Sequence, residues 1–228
     1  MKGILQSRES YYQILTDPQG NYFFKELLPY LSLSQRLSVL EAIGLDFITI
    51  ATHNYGTHSI QKLILSIHSL NEVAYIINHI ICGRESELAY SEYGYFILQK
   101  LLELPFVSED DLYPIFEWMR DNFMELATNA NPLSVVSSLD VQVKRGLARF
   151  ISYRSEIIPI IEANVIYLAQ HEYGNYAIQV ALEVSSLTSE LAHRGLSTNF
   201  LHCARLSPSS EHAEDLVKRG RVLHHQGP

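Results

Sequence analysis

Cysteine is almost missing from the 228-residue chain, which has Cys82 and Cys203 and no others. They stand 121 positions apart, with no CxxC pair and no histidine at metal-ligand spacing, so neither a disulfide framework nor a zinc site is expected. Both are expected as small core residues. An excess of basic charge is missing too. Lys and Arg number 17 against 25 Asp and Glu, a formal net charge of -8, so any grip on a polyanion must come from local arrangement rather than bulk attraction. The most apolar stretch, Val73 to Cys82, is too short for a bilayer and is broken by Asn78 and His79. The opening residues Met1 to Gln6 turn polar at once, with no small-residue cleavage site after them. A soluble, intracellular protein with no membrane contact is expected, cytoplasmic by default because no basic cluster resembles an import signal. The nucleus stays open.

Strand-like alternation of useful length is absent, as are the motifs of common catalytic sites. Ten histidines are scattered without an HExxH, and no GxSxG accompanies them. Neither catalysis nor a cofactor nor a metal is expected. The composition, 47% hydrophobic and 18% charged, is nevertheless that of a folded protein.

What the chain does contain is a repeat. Gln19-Gly20-Asn21-Tyr22 returns as Tyr55-Gly56-Thr57-His58-Ser59-Ile60-Gln61-Lys62, as Tyr93-Gly94-Tyr95-Phe96-Ile97-Leu98-Gln99-Lys100 and as Tyr173-Gly174-Asn175-Tyr176-Ala177-Ile178-Gln179. The glycines are 36, 38 and 80 residues apart, and the last interval is about two periods. A degenerate copy with Pro132 in the glycine position fills the gap, and Ser209 to Leu216 forms a weaker sixth copy. An apolar stripe at helical spacing follows each turn, such as Ile60, Leu63, Ile64 and Ile67. Further helices are expected over Ser34 to Ile43, Asn71 to Ile81, Leu112 to Phe123 and Val141 to Ser152. Each glycine stands between two short helices, where a tight turn or a close backbone approach is needed. One such unit cannot bury its own apolar face, so stacked units must share a core. The chain is an all-α solenoid by this reading. Its repeat domain spans 1–220, with units around 15–45, 46–83, 84–122, 123–159, 160–195 and 196–220, followed by a disordered tail at 221–228.

These residues resemble the Pumilio (PUF) family of RNA-binding repeat proteins. The family pattern is a turn glycine, a small or polar residue in an edge position, a stacking residue, two apolar residues, and Gln or Glu, usually followed by Lys. Gly174 to Gln179 matches it fully and Gly56 to Lys62 closely, and the resemblance covers roughly residues 15 to 220. It implies a right-handed superhelix of about six three-helix repeats, each addressing one base of single-stranded RNA with two or three side chains.

The chemistry is consistent with that implication. Asn175 and Gln179, four apart on a helix, share a face and can address one base edge together, while Tyr176 supplies a stacking plane. By the family's code this trio implies uracil. Thr57, His58 and Gln61 imply adenine, and Ser210 with Glu214 implies guanine. Asn21 and Tyr22 are followed by Lys25 where Gln is expected. Tyr95, Phe96 and Gln99 put a bulky ring in the small position. The fourth copy, with Leu133, Ser134 and Ser137, has neither ring nor amide, and Glu211 in the sixth would repel phosphate.

Family members typically carry eight repeats and favour sites beginning U-G-U-A. The order of units here implies the second to seventh of these, with the chain expected to be truncated at both ends. The resemblance also implies a monomer that binds a UGUA-like element in a message 3′ untranslated region. It would regulate translation and stability by recruiting deadenylation or repression factors. The acidic balance and the blank unit keep a second reading open, a solenoid scaffold for protein partners that has lost RNA recognition. Lys62 and Lys100, each just after the Gln, meet phosphate or are merely exposed. Tyr55, Tyr93 and Tyr173 are expected as packed turn residues.

Overall fold

The structure, a computed structural model, describes residues 8–129 and 151–174. The chain divides into two compact units, residues 1–119 and 120–228. Among the described residues every regular element is helical, and none is long and apolar enough to cross a membrane.

The first unit builds a three-helix motif three times, the last helix ending two residues past the unit's boundary. It begins with α1 (Arg8–Thr16), α2 (Gly20–Leu27) and α3 (Leu33–Ile43), and a short 3-10 turn at Leu28–Tyr30 separates the last two. The second copy is α4 (Phe47–Ala51), α5 (Gly56–Leu65) and α6 (Leu70–Tyr75), and the third α7 (Glu85–Ala89), α8 (Tyr95–Glu103) and α9 (Tyr113–Asp121). The helix of α6 continues without a break into a π-helix at Ile76–Ile81, closed by Cys82 N–H donating five residues back to the Ile77 carbonyl at 2.8 Å. That wider turn keeps Ile76, Ile77, Ile80 and Ile81 buried together.

Local sequence explains where these helices start and why they pack. Ser32 and Gln35 form a reciprocal capping box at α3, and Ser69 accepts the Asn71 N–H at α6. In α5 the residues Ile60, Leu63 and Ile64 are fully buried at three and four spacing. Phe24, Leu28, Leu40, Ile43 and Phe47 extend the same core. Helix α2 packs beside α5, and α5 beside α8, so the second helices of consecutive motifs lie in a row.

In the second unit, α10 (Phe123–Ala127), α11 (Ile151–Ala163) and α12 (Val165–Gln170) are described. Helix α11 packs against both α10 and α12, burying Phe123, Leu126, Ile161 and Leu168.

The structure departs from the sequence reading at several places. Helix α1 begins at Arg8, ahead of the first recognised copy, and α11 runs through Pro159, a residue that reads as a breaker. Of the helix expected over Val141 to Ser152, only the last two residues are described, and they open α11. Cys82 is exposed rather than in the core, because it ends the π-helix just before the left-handed Gly83 turn (φ 80°). Cys203 lies outside the described residues.

Candidate nucleic-acid interface

The turn that opens each second helix is built the same way every time. A β-carbon on Gly20 would collide with the Ile14 carbonyl oxygen, and one on Gly56 with that of Ile50. On Gly94 it would stand 2.8 Å from the Leu88 oxygen, and on Gly174 2.7 Å from the Leu168 oxygen. In all four cases the obstacle lies six residues back. None of these glycines has a positive φ, so close backbone approach, not left-handed geometry, requires glycine here.

Three residues before each glycine stands a side-chain acceptor that secures the turn. Asp17 Oδ1 accepts the N–H of Gln19 at 2.8 Å and of Gly20 at 2.6 Å. His53 Nδ1 accepts from Tyr55 at 3.2 Å and Gly56 at 3.4 Å, and Ser91 Oγ from Tyr93 at 3.3 Å and Gly94 at 3.0 Å. His171 Nδ1 accepts from Tyr173 at 3.2 Å. Their signal in the sequence was a hydrogen-bond acceptor recurring at one offset from the glycine, concealed by its change of residue type.

On this frame, the stacking positions face outward. Tyr22 is 63% exposed, His58 is exposed and Phe96 half-buried. The Lys25 ammonium sits 4.0 Å from the centre of the Tyr22 ring, a cation–π contact along one turn of α2. Tyr95 lies against Phe96 with ring centres 4.1 Å apart, and burial raises its hydroxyl pKa above the ordinary phenol value. Gln61 and Gln99 are half-buried, Lys62 is exposed, and Lys100 pairs with Glu103.

The edge positions behave differently. Asn21 is 2% exposed, and its amide nitrogen donates to the Asp17 carbonyl at 2.9 Å and the Pro18 carbonyl at 2.8 Å. Thr57 is 1% exposed; its hydroxyl donates to the Tyr93 carbonyl at 3.0 Å and accepts from Gln61 Nε2 at 3.0 Å. The spacing that puts positions four apart on one helical face does not say how that face is rotated toward the core. Asn175, Tyr176, Gln179, Ser210 and Glu214, with Leu133, Ser134, Ser137 and Glu211, lie outside the described residues. Among the described residues no group of His, Cys, Asp and Glu could hold a metal ion.

Comparison with known proteins agrees with this geometry. The Pumilio-family RNA binding repeat model matches residues 10–43, 46–81 and 164–188. Putative pumilio homolog 8, chloroplastic, of Arabidopsis thaliana is 26% identical over 180 residues, covering 78% of this chain and 33% of the relative. A Pumilio domain-containing protein of Schizosaccharomyces pombe is 34% identical over 116 residues, 50% of this chain and 14% of the relative. The chain thus spans a third or less of the length of either. Among solved structures, the RNA-binding domain of yeast Puf5p bound to SMX2 RNA matches with a TM-score of 0.77 at 21% identity, covering 95% of this chain and 66% of that one. PUF-6 in complex with 5BE13 RNA gives the same TM-score at 12% identity, covering 92% and 60%. With its recurring glycine turns, its row of second helices and these matches, the chain carries Pumilio-family repeats at residues 10–43, 46–81 and 164–188 and has the all-α solenoid fold of the structures it matches.

Proposed function

We propose that the protein binds single-stranded RNA, one base per competent repeat, through the row formed by α2, α5 and α8, with Asn175, Tyr176 and Gln179 assigned to a further repeat by sequence alone. The observation that carries this reading is the register of the row. Tyr22, His58 and Phe96 each stand two residues after a turn glycine on helices that pack side by side, which suits successive unstacked bases. Tyr22 with Lys25 supplies a ring and a cation; Thr57, His58 and Gln61 supply a ring and an amide; Tyr95, Phe96 and Gln99 supply two rings and an amide. Ser210 and Glu214 belong to the same proposal by sequence alone.

The same reading extends to a UGUA-like element in a message 3′ untranslated region. Translation and message stability are then regulated by recruited deadenylation or repression factors. On this reading the protein is a cytoplasmic monomer without catalytic activity, and 1–220 is its RNA-binding repeat domain.

Fluorescence anisotropy of the chain with U-G-U-A-U-A-U-A RNA, beside an RNA with U-G-U scrambled, tests it at low and physiological salt. Preferential binding of the first RNA at both salts is the expected result. Equal, salt-sensitive binding of both would favour the scaffold reading, which the -8 net charge and the Lys100–Glu103 pair support.

A further inference from the structure

Proton accounting at Thr57 fixes an orientation that the sequence leaves open. The Tyr93 carbonyl can only accept, so the Thr57 hydroxyl, 3.0 Å away, must donate to it. Its lone pairs are then what face Gln61, 3.0 Å distant, and Gln61 must present an N–H to them. The Gln61 amide is therefore locked with Nε2 toward Thr57. Its carbonyl oxygen and second N–H are left to meet a ligand. With Thr57 1% exposed and its one proton committed to the next motif, it has no hydrogen to offer a base. Asn21 is committed in the same way, with its amide donating to the turn before it.

We propose that Thr57 is a positioning residue and that it gives this repeat a choice between amino and keto bases. This rests on the RNA-binding reading. Adenine and cytosine carry an exocyclic amino donor beside a ring-nitrogen acceptor on the pairing edge; guanine and uracil carry a keto acceptor beside a ring N–H donor. An amide free to flip satisfies either pattern. A locked amide satisfies one of them and sets donor against donor, acceptor against acceptor, on the other. Discrimination at this repeat thus falls between A or C on one side and G or U on the other, with Gln61 in contact and Thr57 acting through it. Because the lock runs through the Tyr93 carbonyl, 36 residues on, the choice also depends on the seating of the following repeat against α5.

The test places each of the four bases at the nucleotide facing α5, in an otherwise constant RNA that binds the chain, and measures affinity for the wild type, Thr57→Val and Thr57→Ser. The wild type is expected to separate the two base classes by about five- to tenfold, the effect of one well-placed hydrogen bond. Thr57→Ser keeps that ratio, whereas Thr57→Val brings it close to unity by letting the amide turn. Side-chain amide NMR of Gln61 adds a readout independent of RNA: one Nε2 proton protected from exchange with water in the wild type and in Thr57→Ser, with that protection lost in Thr57→Val. A ratio that survives Thr57→Val in a folded variant overturns the inference while leaving RNA binding intact. Failure of every RNA to bind overturns both. An amide signature indifferent to Thr57→Val overturns the lock itself.

Discussion

Arg36 and Glu72 form a buried ion pair between the third helices of consecutive motifs. Arg36 Nε lies 2.7 Å from Glu72 Oε1, and Nη2 lies 3.3 Å from Oε2. The Glu72 side chain is fully buried and that of Arg36 is 10% exposed; Nη1 donates to the Leu31 carbonyl at 2.9 Å. In the second unit, Arg120 and Glu156 pair at the same separation of 36 residues, but on the surface. Each Arg36 nitrogen and both Glu72 oxygens make a hydrogen bond, so the chief effect of the pair is to penalise any other seating of α6 on α3. Removing one partner leaves an uncompensated buried charge. Glu72→Ala is expected to lower stability by about 3–5 kcal/mol, whereas Arg36→Met with Glu72→Leu together costs less than Glu72→Ala alone. Urea midpoints of the two variants check this.

The turn glycines give a second contrast. Gly56→Ala drives a methyl into the Ile50 carbonyl, backbone that cannot yield without moving α4. It is expected to destabilise by about 1–3 kcal/mol or more. Gly44→Ala meets the Leu40 carbonyl oxygen at 3.4 Å and the Tyr75 hydroxyl at 3.6 Å, ordinary contacts at a backbone with ordinary helical φ. Its change should stay within about 0.5 kcal/mol, aided by the smaller freedom of the unfolded chain. Thermal midpoints measured side by side distinguish the two glycines.

Much of this was legible in the sequence because a repeat multiplies weak signals. One Gly between apolar residues says little, but four in register at Gly20, Gly56, Gly94 and Gly174 fix the period and the place of the second helices. The spacing could not say why glycine is needed, since a left-handed turn and a close approach read alike until the Ile14 and Ile50 carbonyls are seen. Nor could it place Asn21 and Thr57. A four-residue spacing puts Thr57 and Gln61 on one face of α5, yet Thr57 turns under that face to meet Tyr93, 36 residues away. Long-range partners of this kind leave no local pattern. Helix α11 lies almost wholly past the helix expected over Val141 to Ser152 and carries Pro159 in its interior, where proline is ordinarily unfavourable.

Acid should act on the first unit through Asp46. The Arg8 guanidinium, hydrogen-bonded to this carboxylate across 38 residues, holds its pKa below the usual value for Asp. A carboxyl whose pKa is lowered by folding adds stability above its unfolded pKa, near pH 4, and loses that contribution as pH falls through the lower folded value. Arg8→Gln should therefore reduce the thermal midpoint at neutral pH, by an amount that shrinks with added salt because Arg8 is half exposed. The gap from wild type should close as Asp46 protonates. NMR titration is expected to show the Asp46 carboxyl titrating at higher pH in Arg8→Gln than in the wild type.

Stacking and edge recognition should separate cleanly in RNA binding. Every base has a π face, so Tyr22→Ala is expected to weaken binding by about 1–3 kcal/mol with no change in base preference at its position. The loss includes the Lys25 ammonium, which sits over that ring and loses its seat with it. On the proposed reading, Gln179→Ala keeps the Tyr176 ring for stacking and removes only an amide from the base edge. It should weaken binding by a similar ~1–3 kcal/mol while relaxing preference at one base alone. Anisotropy titrations with RNAs varied one position at a time distinguish these outcomes. Were Gln179→Ala to weaken every RNA equally, the residue would be holding backbone or fold rather than a base, because a lost edge contact can only be felt where the edge differs.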